Sequence, residues 1–194
     1  MRRPRQLVDG AWYHVTARVN RREMLLDRGE VRDLFLVFLA RAKKRYRFQV
    51  ANFCVMGNHV HLQVQPGRGE NLSEIMRWLL GYFARAYNKR RGWSGHFWGE
   101  RFHSRVLDGI RQFAIAFGYI DDNPVKAGLV ARACEWRHGG AWHSRMKNRS
   151  ILDEALPWQS LLEGLRSMPL AISVYEASAW AMPAFASYRR HGLL

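Results

Sequence analysis

The sequence predicts an α+β protein: a ferredoxin-like antiparallel sheet with helices on one face, followed by a small C-terminal appendage. Three observations carry this reading. Four short stretches, 11–18, 50–56, 59–64 and 97–107, alternate or cluster apolar, aromatic and β-branched residues as strands do. Between the first and second, and between the third and fourth, apolar residues recur at helical spacing. The resulting order, β-α-β-β-α-β and then one more helix, is that of a split β-α-β sheet.

Ala11–Arg18 (AWYHVTAR) alternates along a strand, and Arg18, Arg21 and Arg22 crowd the loop after it. Asp27 is a plausible N-cap for a helix in which Val31, Leu34, Phe35, Phe38 and Leu39 share one face through to Ala42. Lys43 to Arg47 then places positive charge at the end where the helix dipole favours it. Val50–Met56 is an apolar strand, Gly57-Asn58 a turn pair, and His59 opens the hairpin's second strand, which runs to Val64. Asn71 or Ser73 caps a second helix reaching about Arg90, with Ile75, Leu79, Tyr82, Phe83 and Ala86 on its apolar side. A third helix spans about Gln112–Asp122. Pro124 is expected to end or bend it, because proline pushes the residue before it out of helical conformation. Past Arg145 the pattern weakens: Leu156–Arg166 reads as a short helix, and Ala171–Ala186 mixes small and aromatic residues around Pro183. The predicted division is a domain at 1–146 and an appendage at 147–194.

The 194 residues suffice for one domain with a proper core. Lys and Arg number 31 against 16 Asp and Glu, a formal charge of +15, and the pI is about 10.8. That balance points to a polyanionic partner, nucleic acid before a membrane surface. Residues 147–194 hold five basic and four acidic residues, so the polyanion site belongs to the first three quarters of the chain. Two cysteines, Cys54 and Cys134, exclude a disulfide framework and a thiolate metal centre. No apolar stretch follows the basic start, Met1–Arg5, and none approaches the ~20 residues of a membrane span. A cytoplasmic protein without membrane contact is expected.

The chemistry concentrates in Asn52–Pro66, NFCVMGNHVHLQVQP. On a strand His59 and His61 project to the same side, roughly 7 Å apart along it, while Val60, Leu62 and Val64 face a core. Two imidazoles so placed can share a divalent ion, or can simply belong to a half-exposed strand. Tyr119 and Asn123 lie one turn apart and face the same way on a continuous helix. His59, His61 and the Asn123 side-chain oxygen could then hold an ion with open positions, with the Tyr119 hydroxyl beside it. Between Tyr82 and Arg105, the residues Arg85, Lys89, Arg90, Arg91, Arg101 and Arg105 interleave with Tyr87, Trp93, Phe97, Trp98 and Phe102. Basic side chains follow a phosphate backbone and aromatic faces stack on unpaired bases, although Phe83 and Phe97 are assigned to the core. Arg18, Arg21 and Arg22 are a second candidate contact.

His59-Val60-His61 and the run Tyr119–Val130 (YIDDNPVKAGLV) resemble the one-tyrosine HUH transposases, in particular the REP-associated tyrosine transposase branch related to the insertion-sequence 200/605 group. Tyr13-His14-Val15-Thr16, and the block from Ser94–Trp98 through Arg101–Ser104, are similar to that family too; the likeness covers about residues 10–145. The resemblance implies Tyr119 as nucleophile and His59, His61 and Asn123 as metal ligands. It implies a metal-dependent single-stranded DNA endonuclease and strand transferase acting on hairpins, through a covalent 5′-phosphotyrosine and a free 3′-OH. Imidazole ligands suit Mn²⁺ better than Mg²⁺, although cellular supply can favour Mg²⁺. The expected partner is a DNA hairpin, bound by a monomer or homodimer. Gly57 stands where the family commonly has proline, and Gly99-Glu100 replaces a more usual Gln-Gly, setting a carboxylate near the expected DNA groove. Two other readings compete: a catalytically inactive, domesticated hairpin-binding protein, and an unrelated metal hydrolase using His96 or His103 in place of Asn123.

Overall fold

Buried and half-buried residues alternate along β1 (Trp12–Arg18), so each side of this strand serves a different layer. In the computed structural model, which describes residues 8–153, β1 pairs antiparallel with β3 (His59–Pro66) and with β4 (His103–Leu107), and β2 (Phe48–Val55) adds outside β3. The order β2-β3-β1-β4 is the ferredoxin-like arrangement the element order predicts.

One sheet face is apolar. Val15 and Ala17 of β1, Phe53 and Val55 of β2, and Val60, Leu62 and Val64 of β3 are buried against Phe35 and Leu39 of α1 (Gly29–Arg45) and Ile75, Leu79 and Phe83 of α2 (Leu72–Arg91). At about 1.5–3 kcal/mol for each fully buried large apolar side chain, this layer dominates the stability of the fold. The opposite face carries His14, Thr16, Asn52, Cys54, His61 and Gln63, placed together by the register His14↔Gln63, Thr16↔His61, Asn52↔Gln63 and Cys54↔His61. The expectation of helices on one face holds for α1 and α2 only. α3 (Gly109–Lys126) lies on the polar face, because its buried stripe of Phe113, Ala116, Phe117, Ile120 and Pro124 needs a surface of its own.

Several boundaries move for identifiable reasons. Asp27 does not cap α1; its carboxylate accepts from Arg32 Nη2 at 2.9 Å, and the helix begins at Gly29. Asn71 does cap α2, accepting from the Ser73 amide at 2.8 Å, and Gly92 ends that helix at φ 64°, where only glycine is free of strain. Of the extended stretch at 97–107 only His103–Leu107 joins the ladder. Phe97 is buried in the core, and the Asn20 and Gly99 amides bond across residues 97–99 and the end of β1. Pro124 ends nothing: α3 continues to Lys126, with Ala127 N–H on the Asn123 carbonyl. One missing N–H in a last turn is tolerable when the turn is otherwise closed.

Beyond α3, a 3₁₀ turn (Ala133–Glu135) and α4 (Gly140–Arg145) return along the outer edge of β2, where Val55 N–H donates to the His138 carbonyl at 2.9 Å. That edge is thereby covered. The compact unit also runs past the edge predicted at residue 146. Ile151 and Leu152 are buried, and Asp153 accepts from the Val50 amide and from Lys43, both at 2.6 Å. The chain divides into units Met1–Leu156 and Pro157–Leu194. The helix expected at Leu156–Arg166 and the Ala171–Ala186 stretch lie outside the described residues. No helix among the described residues is long and apolar enough to cross a membrane.

Candidate active site

Helix α3 and strand β3 run alongside one another in opposite directions. The Phe113 carbonyl meets Gln63, Tyr119 meets His61, and Asn123 meets His59. Ten helical residues advance about 15 Å and four strand residues about 13 Å, so the spacings stay in step over the whole contact. This match brings a tyrosine and an asparagine four residues apart onto two histidines two residues apart.

The Tyr119 ring stands edge-on to His61, with centroids 5.4 Å apart at 90°, and to His14 at 5.8 Å. His59 and His61 are 4.9 Å apart, ring to ring. His61 Nδ1 lies 2.9 Å from His14 Nε2 and 3.1 Å from Thr16 Oγ1. With the Nδ1 proton directed at either, Nε2 is the lone-pair nitrogen, and that atom is buried without a hydrogen-bond partner. His59 Nδ1 is held by Asn58 Oδ1 at 2.7 Å, which leaves its Nε2 as the lone-pair nitrogen in turn. Asn123 is placed between both neighbours: its Nδ2 donates to the Tyr119 carbonyl at 2.7 Å, and its side chain can accept from His59 when that ring is protonated.

Electrostatics keep this cluster neutral. Burial pushes the His59 imidazole down to about 4, the Arg18 charge adding to the effect and the Asn123 hydrogen bond opposing it. His14 is likewise pushed down to about 4 by burial and by Arg105. His61 is held well below the ordinary value by burial first, then by His59, His14 and Arg18. Burial raises the Tyr119 phenol, while Arg18 and the Asn123 hydrogen bond pull it back down. Neutral imidazoles with inward lone pairs, one of them orphaned, fit a divalent cation. Among the described residues no group of three or more His, Cys, Asp or Glu is placed to hold a metal, so the donor set here would be two imidazoles and an amide.

The structure brings His59, His61, Tyr119, Asn123 and Arg18 together, with Arg105 beside His14. Arg21 and Arg22 sit at the adjoining end of the sheet, in a 3₁₀ turn (Asn20–Arg22) where both adopt left-handed conformation, φ 52° and 60°. Asn58 Nδ2 ties that turn to the β2–β3 hairpin through the Arg22 carbonyl at 3.2 Å. A Cβ at Gly57 would meet the terminal methyl of Met24, an exposed and flexible side chain that can move aside, so the position does not demand glycine.

The remaining predicted DNA contacts do not converge on the histidines. Arg85, Lys89, Arg90 and Arg91 belong to α2, which covers the other face of the sheet. Arg85 stacks over Tyr82 at 4.1 Å, and Arg91 pairs with Glu30 at 3.6 Å. Trp98 donates its indole N–H to the Leu80 carbonyl at 3.0 Å and packs on Phe35, Phe83 and Phe97, so its ring is committed to the core side. Trp93 is 53% exposed, and Arg101 is exposed in the loop before β4. His96 is exposed, and His103 faces Glu100 at 3.6 Å; neither takes the place of Asn123 beside His59. His14 belongs to this site although neither spacing nor ligand pattern in the sequence marks it as a ligand or nucleophile. The signal that could have found it is period 2: His14, Thr16 and Arg18 alternate along β1 on the face that β1's pairing with β3 sets beside His61.

This fold and this face define a class, a small ferredoxin-like domain with a histidine pair on the sheet and a tyrosine on the covering helix. Residues 7–123, more than half of the chain, match the family model described as "Transposase IS200 like", and the chain belongs to that family. A protein of Haemophilus influenzae named as a REP-associated tyrosine transposase is 25% identical over 114 residues, which is 54% of this chain and 64% of that relative. Among solved structures, a REP-associated tyrosine transposase bound to a REP hairpin superposes with a TM-score of 0.63 at 20% identity, covering 79% of this chain and 88% of that one.

Proposed function

We propose that the chain is a single-stranded DNA endonuclease and strand transferase that acts on DNA hairpins through a covalent bond to Tyr119. The observation that carries this reading is the Tyr119 ring edge-on to His61, beside His59 and Asn123 and within reach of the Arg18 charge. In the step proposed, a bond forms between Tyr119 Oη and phosphorus, and the bond from phosphorus to the 3′ oxygen breaks. The proton lost by the phenol ends on the departing 3′-OH. Because one phosphoester replaces another, a second 3′-OH can reverse the step without ATP.

His59, His61 and Asn123 are the residues that would hold a divalent ion, Mn²⁺ or Mg²⁺, which when bound supplies charge neutralisation at a non-bridging phosphate oxygen. Arg18 does a related task from the protein side. Its charge lowers the phenol's proton affinity against the pull of burial and favours an incoming phosphate. His14 and Thr16 orient the His61 ring. Arg21, Arg22 and Arg105, at the rim of the same face, are the phosphate contacts this reading favours, with Arg101 and Trp93 in the adjoining loop. The family name of the relatives and the hairpin-bound neighbour support DNA as the partner.

Incubation with single-stranded hairpins and Mn²⁺ tests the reading. Wild-type protein should form an adduct that survives a denaturing gel, and Tyr119→Phe should abolish it with hairpin binding intact. An adduct that persists in Tyr119→Phe removes Tyr119 as nucleophile. Tight hairpin binding by the wild type with no metal-dependent adduct would establish the hairpin-holding reading instead.

A further inference from the structure

The sheet beneath α3 carries two amide side chains whose placement a purely apolar contact would not require. Asn52 and Gln63 are direct partners across β2 and β3, both with 0% exposure. Asn52 Nδ2 donates to the Phe117 carbonyl at 3.0 Å and to Asp121 Oδ1 at 2.9 Å, while its Oδ1 accepts from the Phe53 amide at 2.8 Å. Gln63 Nε2 donates to the Phe113 carbonyl at 3.0 Å. Gly140 makes room for this arrangement, since a Cβ there would collide with Asn52 Oδ1.

We propose that Asn52 and Gln63 are positioning residues for Tyr119, a two-point polar fastening that sets both the height and the rotation of α3 over the histidines. Apolar stripes on a helix and a sheet constrain their separation well but their sliding poorly, because a Leu-like contact is non-directional. Hydrogen bonds are directional, and a buried amide that loses its partner is penalised. Two donors on neighbouring strands grip carbonyls one helical turn apart, and a carboxylate a further turn on takes the second Asn52 proton. A slip of α3 by one residue would advance it about 1.5 Å and turn it about 100°, breaking all three bonds at once. The same slip would carry Tyr119 off His61. The fastening therefore selects the one register in which phenol and imidazoles face each other.

This inference rests on the proposed role of Tyr119, so its test includes a readout that needs no catalysis. With 3-fluorotyrosine incorporated, wild-type protein should give one sharp ¹⁹F line for Tyr119, assigned by its loss in Tyr119→Phe. Asn52→Asp sets a carboxylate against Asp121, and Gln63→Leu removes the second grip; each should shift or split that line in protein that remains folded by circular dichroism. In the adduct assay at saturating hairpin, each should lower the rate constant by ~10- to 100-fold, the penalty of an ångström-scale misplacement, with hairpin affinity unchanged. Asp121→Asn added to Asn52→Asp restores an amide–carboxylate pair and should recover part of the rate and the single line. An unchanged ¹⁹F line in both variants overturns the inference, as does a rate that falls only with the folded fraction. If wild-type protein forms no adduct at all, the catalytic reading fails and the ¹⁹F result alone decides the fastening.

Discussion

Acid should unfold this protein earlier than its composition suggests, because the site histidines are neutral when folded. His14 and His59 have folded pKa values of about 4 against an ordinary value of 6.5. A group whose folded pKa is depressed contributes stability that is fully present above its unfolded pKa and is lost as pH falls toward the folded one. The window is therefore pH 6.5 down to about 4. At pH 5 both imidazoles are still almost unprotonated in the fold, so the loss is set by the unfolded chain taking up protons. That amounts to about 2 kcal/mol per histidine between pH 7 and pH 5, or about 4 kcal/mol for the pair. The figure changes little for any folded value of about 4 or lower. His61, His138 and His143 are shifted the same way and add to the loss. Against a typical total of about 5–15 kcal/mol the effect is large. Urea unfolding in EDTA at pH 7 and pH 5 measures it directly. The double variant His14→Gln/His59→Asn should lose about 4 kcal/mol less than wild type over that interval. An equal loss in the two proteins refutes the reasoning, since it would mean that the site histidines titrate in the fold as they do in water.

Other outcomes follow from individual contacts. His14→Phe keeps a ring beside His61 but deletes the nitrogen that orients it; Mn²⁺ affinity measured calorimetrically should fall ~10- to 100-fold, with metal-free hairpin binding unchanged. Arg21→Gly removes a charge from a left-handed position. It should leave urea stability equal or higher by up to ~1 kcal/mol, while the salt slope of hairpin binding drops by ~0.7; a loss of stability would contradict the strain read from φ 52°. Trp98→Ala should destabilise by about 3 kcal/mol, as a packing residue does. The exposed Trp93→Ala should change stability by less than ~0.5 kcal/mol, and weakened single-strand binding in that variant alone would identify it as the stacking residue of the two.

The fold was legible where burial is one-sided. Val60, Leu62 and Val64 alternate with His59, His61 and Gln63, so the strand, its faces and the hairpin turn at Gly57-Asn58 could all be read from period 2. The helix spacings of α1 and α2 were equally plain. Ends were harder, because they depend on partners distant in sequence. Asp27 was free to cap a helix until Arg32 took its carboxylate, and residues 97–102 read as strand until Phe97 turned inward. Of the site, His59, His61, Tyr119 and Asn123 could be named from spacing and resemblance. His14 could not, because period 2 sets it on one face of β1 but only the pairing of β1 with β3 brings it to His61, 47 residues away. The arginines of α2 illustrate the converse: clustered in sequence between Tyr82 and Arg105, they lie on a helix that covers the sheet face away from the histidines.

What the chain determined by itself is what neighbours along it can determine: strand faces, helix stripes, the charge excess and the two-residue and four-residue spacings of the reactive groups. Which helix lies on which face was decided only in three dimensions, since α3 is bound to the polar side by Asn52 and Gln63, more than forty residues before it. That docking also lowers the histidine pKa values, because desolvation needs a covering element that no single segment supplies.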